Sequence, residues 1–169
     1  MSSFRDEALE ANTAYAAGFP AADRSAPPTR HVAVLACMDA RLRPEDALGL
    51  SLGEAHVIRN AGGRVTDDVV RSLMLSSAVL GTRRVAVIHH TDCGLLGATD
   101  EALRGRVAAV TGELVDDVEF LAFDDAESTL LDDVRAIEGD ARLPFHEVSG
   151  FIYDVGTGRL RPAVPSPPG

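Results

Sequence analysis

The chain has no tryptophan and no lysine, and only two cysteines and two tyrosines among its 169 residues. With so few aromatics, its core must be built mainly from Val, Leu, Ile and Ala. A hydrophobic fraction of 46% and a mean hydropathy of +0.04 supply enough of them to bury one. That composition excludes global disorder. Every basic residue is arginine, and 16 of these face 26 carboxylates, leaving a formal net charge of −10. An acidic surface of this kind repels nucleic acid and anionic membrane, so neither is expected as a partner. No continuous apolar stretch occurs in "MSSFRDEALEANTAYAAGF", and no run approaches membrane-spanning length. The expectation is a cytoplasmic protein, in which two cysteines act as thiols, thiolates or metal ligands more readily than as a structural disulfide.

What is present reads as one domain over residues 1–169, with 1–29 as a helical arm and Pro-rich connector and 164–169 as a tail. Phe4, Ala8, Ala11 and Tyr15 fall at helical spacing, and Gly18 and Pro20 end that pattern. "HVAVLA" (31–36), "AHVIRN" (55–60) and "RRVAVIHH" (83–90) read as buried strands, and "VEFLAF" (118–123) as a further one. Short helices are expected from Pro44, from Thr66 or Asp67 to Gly81, across 99–111, and from Ser128 to Ile137. "HEVSGFIYDVGTGRLRPA" predicts a hairpin turning at "GTG". Strands alternating with helices predict an α/β fold. Its central sheet is mainly parallel and flanked by helices, with a C-terminal antiparallel hairpin or edge strand.

Sheets of this class bind ligands beyond the carboxyl ends of their strands. Both cysteines lie at such ends, Cys37 after "HVAVLA" and Cys93 after "VAVIHH". If those strands are neighbours, Cys37, Cys93 and His90 converge. Two thiolates, one imidazole and an open position suit catalytic zinc better than structural zinc, which usually has four protein ligands. The H-x-x-C spacing lets His90 and Cys93 face one ion, whereas strand alternation sends His89 the other way, into the fold. Two buried thiols or a Cys37–Cys93 disulfide are the competing readings, and spacing and compartment favour metal over both.

Asp39 and Arg41 stand two and four residues past Cys37. The carboxylate can take the fourth site or accept a hydrogen bond from water there, and Arg41 can hold it off in a bidentate pair. Alternatively, Asp39 caps a turn and Arg41 is a solvated surface residue. Cys37 to Arg43 also has the C-x5-R spacing of a cysteine phosphatase loop. "CMDARLR" contains no glycine for such a loop, however, and carries Asp39 where it would repel phosphate.

In this order, "CMDARL", "RNAGG" and "HHTDCG" resemble the β-class carbonic anhydrases, closely over residues 30–97 and in the compact bacterial and archaeal form. The resemblance implies one Zn2+ per chain on Cys37, His90 and Cys93, with Asp39 joining them only in a closed form. It implies an Asp39–Arg41 catalytic dyad and a substrate pocket along Asn60, Ala61, Gly62, Gly63 and Gly94. The implied reaction is reversible hydration of CO2 to bicarbonate and a proton, through attack of zinc-activated water on carbon. The implied functional unit is a homodimer, or an oligomer built on it, with the N-terminal helix packed on the partner. The same zinc motif also serves hydrolases of carbonyl sulfide or carbon disulfide, and a non-catalytic zinc-binding or sensing protein is the third reading.

Overall fold

The computed structural model describes residues 2–20 and 25–163; the expected tail, 164–169, and part of the connector lie outside the described residues. Five strands form one sheet: β1 (Val32–Cys37), β2 (Ala55–Asn60), β3 (Arg84–His90), β4 (Glu147–Tyr153) and β5 (Leu160–Pro162). Their order is β2-β1-β3-β4-β5, with the first four parallel and β5 antiparallel to β4. The expected α/β architecture is therefore present, including the antiparallel C-terminal edge. β1 and β3 are neighbours, the condition that the metal reading required.

Strand composition explains this arrangement. In β1, five of six residues are buried, and six of seven are in β3, because both faces of the sheet are covered there. On one face Leu35 and Val87 pack under α3 (Asp67–Ala78) and α5 (Ala126–Gly139), through Leu73, Leu130 and Ile137. On the other, Val34, Ala36 and Ile88 meet Leu48, Val57 and Phe151. Full burial of each large aliphatic side chain contributes roughly 1.5–3 kcal/mol. Side-chain caps start the helices: Thr66 accepts from the Val69 N–H, and Asp125 from the Ser128 N–H.

Several boundaries differ from expectation. β1 runs one residue further, so Cys37 is its last residue rather than the first beyond it. The helix begun at Pro44, α2 (Pro44–Ala47), is a single turn, and α3 stops at Ala78, three residues short of Gly81. α5 begins two residues before Ser128 and includes Gly139.

The expected strand at 118–123 does not form; only an isolated bridge joins Leu96 to Phe123. Side chains intercept its backbone. Asp100, the first residue of α4 (Asp100–Thr111), accepts from the Phe120 and Ala122 N–H groups at 2.8 and 3.0 Å. Arg104 and Arg64 donate to the Val118 and Leu121 carbonyls. These bonds replace the sheet ladder that an apolar hexapeptide suggested.

α1 (Phe4–Ala17) forms as the spacing indicated, with a Ser3–Asp6 capping box. None of its residues is buried, however, and Phe4 is 83% exposed.

Candidate metal centre

The register β1–β2–β3 decides where the site lies. Cys37 pairs with Asn60, and Ala36 lies opposite Ile88, so the end of β1 is flanked by the two loops that carry the other motifs. Cys37, His90 and Cys93 are all buried there, with their ligand atoms within 4.8 Å of one another.

The donor set fits a metal ion. His90 Nδ1 lies 2.9 Å from the Thr91 carbonyl, which fixes the proton on that nitrogen. Nε2 is then a lone pair, fully buried and without a hydrogen-bond partner. An orphaned buried acceptor is costly unless something electrophilic occupies the space it faces. The two sulfurs make the same demand. Sharing a hydrogen bond with Cys93 drives the Cys37 thiol far down, even against burial, while the Cys93 thiol is pushed up. Burial opposes a charge on His90, but the Cys37 sulfur, the Thr91 backbone and the Asp39 charge together raise the imidazole pKa. The backbone near Asp39 and Gly62 also favours a Cys37 thiolate, and that near Leu95 opposes the rise at Cys93. The cluster thus gathers negative charge that a fixed cation would neutralise.

Asp39 and Arg41 lie beside it. Asp39 Oδ2 is 3.9 Å from His90 Nε2, close enough to reach the space between the ligand atoms. Arg41 donates to both Asp39 oxygens from Nε and Nη2, at 3.0 and 2.8 Å. Its Nη1 donates to Asp92 Oδ2 at 2.6 Å, and Nη2 also reaches the Asp92 carbonyl at 2.9 Å. Arg41 therefore ties the loop after β1 to the loop after β3. Its side-chain and backbone hydrogen bonds hold the Asp39 carboxyl far below the usual carboxylate range.

The remaining motif residues take different places. Asn60 has both ends of its amide engaged, by the Arg64 carbonyl and the Arg64 N–H. It closes the loop on itself. Gly62 and Gly63 are buried in a short 3-10 turn (Ala61–Gly63), whereas Ala61 and Gly94 are exposed. Gly63 has φ +68°, and a Cβ there would sit 2.9 Å from the Cys37 nitrogen and 3.0 Å from the Ile88 oxygen. Only glycine fits this close approach of the turn to the two strand ends. Arg43 is 81% exposed and pairs with Asp46, so the phosphatase spacing has no structural counterpart.

Arg59, which opens the "RNAGG" loop, and three residues not singled out from the sequence belong to the surroundings. Arg59 donates to the Cys37 and Asp39 carbonyls at 3.0 and 2.6 Å, pinning the loop that carries the dyad. Asp92 anchors Arg41. Arg64 and Asp133 form a buried ion pair at 2.7 Å, with His89 on the same carboxylate at 3.1 Å. Asp133 had a readable signal: it lies on the apolar stripe Leu130, Val134, Ile137 of its helix, where a lone carboxylate needs a partner.

Comparison with known proteins agrees with this geometry. The carbonic anhydrase family model matches residues 32–121. Beta-carbonic anhydrase 1 of Mycobacterium tuberculosis is 42% identical over 161 residues, covering 95% of this chain and 98% of that protein. A carbon disulfide hydrolase of Acidithiobacillus thiooxidans is 37% identical over 156 residues, covering 80% of this chain and 78% of its own. The crystal structure of a carbonic anhydrase from Streptococcus mutans superposes with a TM-score of 0.92 at 41% identity, over 97% of this chain and 99% of that one. By motif order, strand topology and these likenesses, the chain belongs to the β-carbonic anhydrase family.

Proposed function

We propose that this chain is a zinc enzyme that hydrates CO2 to bicarbonate and a proton. The observation that carries the reading is the buried Cys37–His90–Cys93 cluster, with an orphaned imidazole nitrogen and an acid–base dyad beside it. Zinc held by those three residues supplies a Lewis acid that acidifies water towards neutrality. Two thiolates donate more charge than imidazoles and weaken that effect, so the dyad has work to do. Asp39 accepts a hydrogen bond from the attacking water and orients its lone pair towards the carbon of CO2. Arg41 keeps Asp39 ionised and away from the metal position. Leu42, Leu95 and Phe123, packed around the cysteines, make surroundings that suit a linear uncharged substrate.

A second reading is hydrolysis of carbon disulfide, also linear, apolar and attacked at carbon. The 37% identical hydrolase from Acidithiobacillus thiooxidans favours it. Stopped-flow CO2 hydration, run beside carbon disulfide consumption on protein of measured zinc content, decides between them. CO2 turnover at full zinc occupancy supports the first reading. Carbon disulfide turnover without it supports the second, and neither activity at full occupancy would leave a zinc-binding role only.

The proposed unit is a homodimer or an oligomer built on it. Its support is α1, whose Phe4 and Tyr15 share one face at helical spacing and are both exposed. We place the enzyme in the cytoplasm, because the site requires two reduced thiols and no described helix is long and apolar enough to cross a membrane.

A further inference from the structure

Asp133 takes no part in the chemistry above, yet it is among the most buried charged groups, at 4% exposure. Its partners bracket the metal centre. Oδ2 accepts from Arg64 Nε at 2.7 Å and from His89 Nε2 at 3.1 Å, and Oδ1 accepts from the Val65 N–H at 3.1 Å. His89 immediately precedes His90 on β3. Arg64 and Val65 immediately follow the Ala61–Gly63 turn, whose Gly63 is seated against the Cys37 nitrogen and the Ile88 oxygen. One carboxylate on α5 thus fastens the strand end that presents His90 and the loop that packs on Cys37. It does so from the sheet face opposite to His90.

This anchor ties the loop to α5. Asn60 closes the loop internally, and Gly63 is seated against backbone with no room to shift inward. Replacing such a buried ion pair by apolar side chains is often neutral or stabilising, so stability alone does not account for it. Orientation of metal ligands by groups behind them does.

We propose that Asp133 is a positioning residue for the metal centre. Through Arg64, Val65 and His89 it sets the loop and the β3 end so that the three ligand atoms converge before the ion arrives. This inference rests on Cys37, His90 and Cys93 being the zinc ligands.

The test compares zinc affinity, by competition with a chromophoric chelator, and amide hydrogen exchange at residues 60–65 of the zinc-free full chain. The variants are Asp133→Asn and Arg64→Met. The control is Leu130→Ala, which opens a cavity in the same helix without touching the network. For Asp133→Asn, zinc affinity is expected to fall about 10- to 100-fold. Exchange at Gly62 should quicken about tenfold, as local opening no longer requires breaking the anchor. Leu130→Ala should lower Tm at least as much and leave both readouts near wild type. Affinity within about twofold of wild type for Asp133→Asn, or an equal loss in Leu130→Ala, would overturn the proposal. Should Asp133→Asn not fold, Arg64→Met decides it: a zinc-affinity loss supports the anchor and an unchanged affinity overturns it. Wild-type protein that binds no zinc, or binds it unaltered after Cys93→Ser, overturns the ligand assignment itself and this inference with it.

Discussion

Arg41 grips Asp39 at three points: Nε on Oδ1 at 3.0 Å, Nη2 on Oδ2 at 2.8 Å, and its backbone N–H on Oδ1 at 2.8 Å. That hold keeps an ionised carboxylate within 3.9 Å of His90 Nε2 without releasing it to the metal position. Replacing Asp39 by Asn is expected to lower kcat/KM for CO2 hydration by about 10²–10⁴-fold, the range for a lost acid–base group. Zinc content should stay the same. Arg41→Lys keeps the charge but loses the planar fork, so it should recover only part of the activity lost in Arg41→Ala. Stopped-flow assays on variants of matched zinc content measure both.

Removing a ligand should act on the metal before the chemistry. Cys37→Ser, Cys93→Ser or His90→Ala is expected to reduce bound zinc from one per chain towards none, as read by elemental analysis. Chelator-stripped wild type should expose two reactive thiols, and zinc should protect both and restore activity.

Two glycines should respond in opposite directions to alanine. Gly63→Ala puts a Cβ 2.9 Å from the Cys37 nitrogen at φ +68°, and is expected to cost about 2–3 kcal/mol. Gly105 lies inside α4 with open space around its Cβ position, so Gly105→Ala should stabilise by about 0.5–1 kcal/mol. Urea denaturation of the two variants measures the difference.

Acid should find Asp133. Burial pushes its carboxyl up, but the hydrogen bonds from His89 and Arg64, the Arg64 charge and the Val65 N–H bring it below the ordinary aspartate value. A carboxyl depressed on folding contributes stability that is fully present above its unfolded pKa, about 3.9. That contribution is lost as pH falls through the lower folded value. Asp133→Asn should therefore be less stable than wild type at neutral pH, with the gap narrowing below about pH 4. Thermal unfolding across pH 2–7 tests it.

Deleting residues 2–20 should change mass, not the sheet. α1 buries none of its residues in its own chain, so its loss is expected to leave the far-UV strand signal and shift sedimentation from dimer to monomer. Unchanged sedimentation would remove α1 from the interface.

Much of the fold was legible because its strands are short, apolar and bounded by turn residues. "HVAVLA" and "RRVAVIHH" announce β1 and β3 within a residue, and their all-apolar character announces a sheet covered on both faces. "VEFLAF" has the same local signature and forms no strand, since Asp100, Arg104 and Arg64 take its backbone groups from elsewhere in the chain. Periodicity records what a segment prefers locally. It does not record which distant side chain competes for its N–H and carbonyl groups.

The same division runs through the site. Residue type and spacing alone determined that Cys37, His90 and Cys93 could bind a metal, and that His89 faces away from them. Asp39 and Arg41, two residues apart in the chain, were within reach of each other. Only the tertiary structure decided that β1 and β3 lie side by side, bringing ligands from residues 37 and 90–93 within 4.8 Å. It alone joined Asp92 to Arg41 and placed Asp133 behind the loop, 68 and 69 residues from Val65 and Arg64. Contacts of that range depend on strand order and helix placement, which the whole core sets together, so no local stretch of sequence carries them.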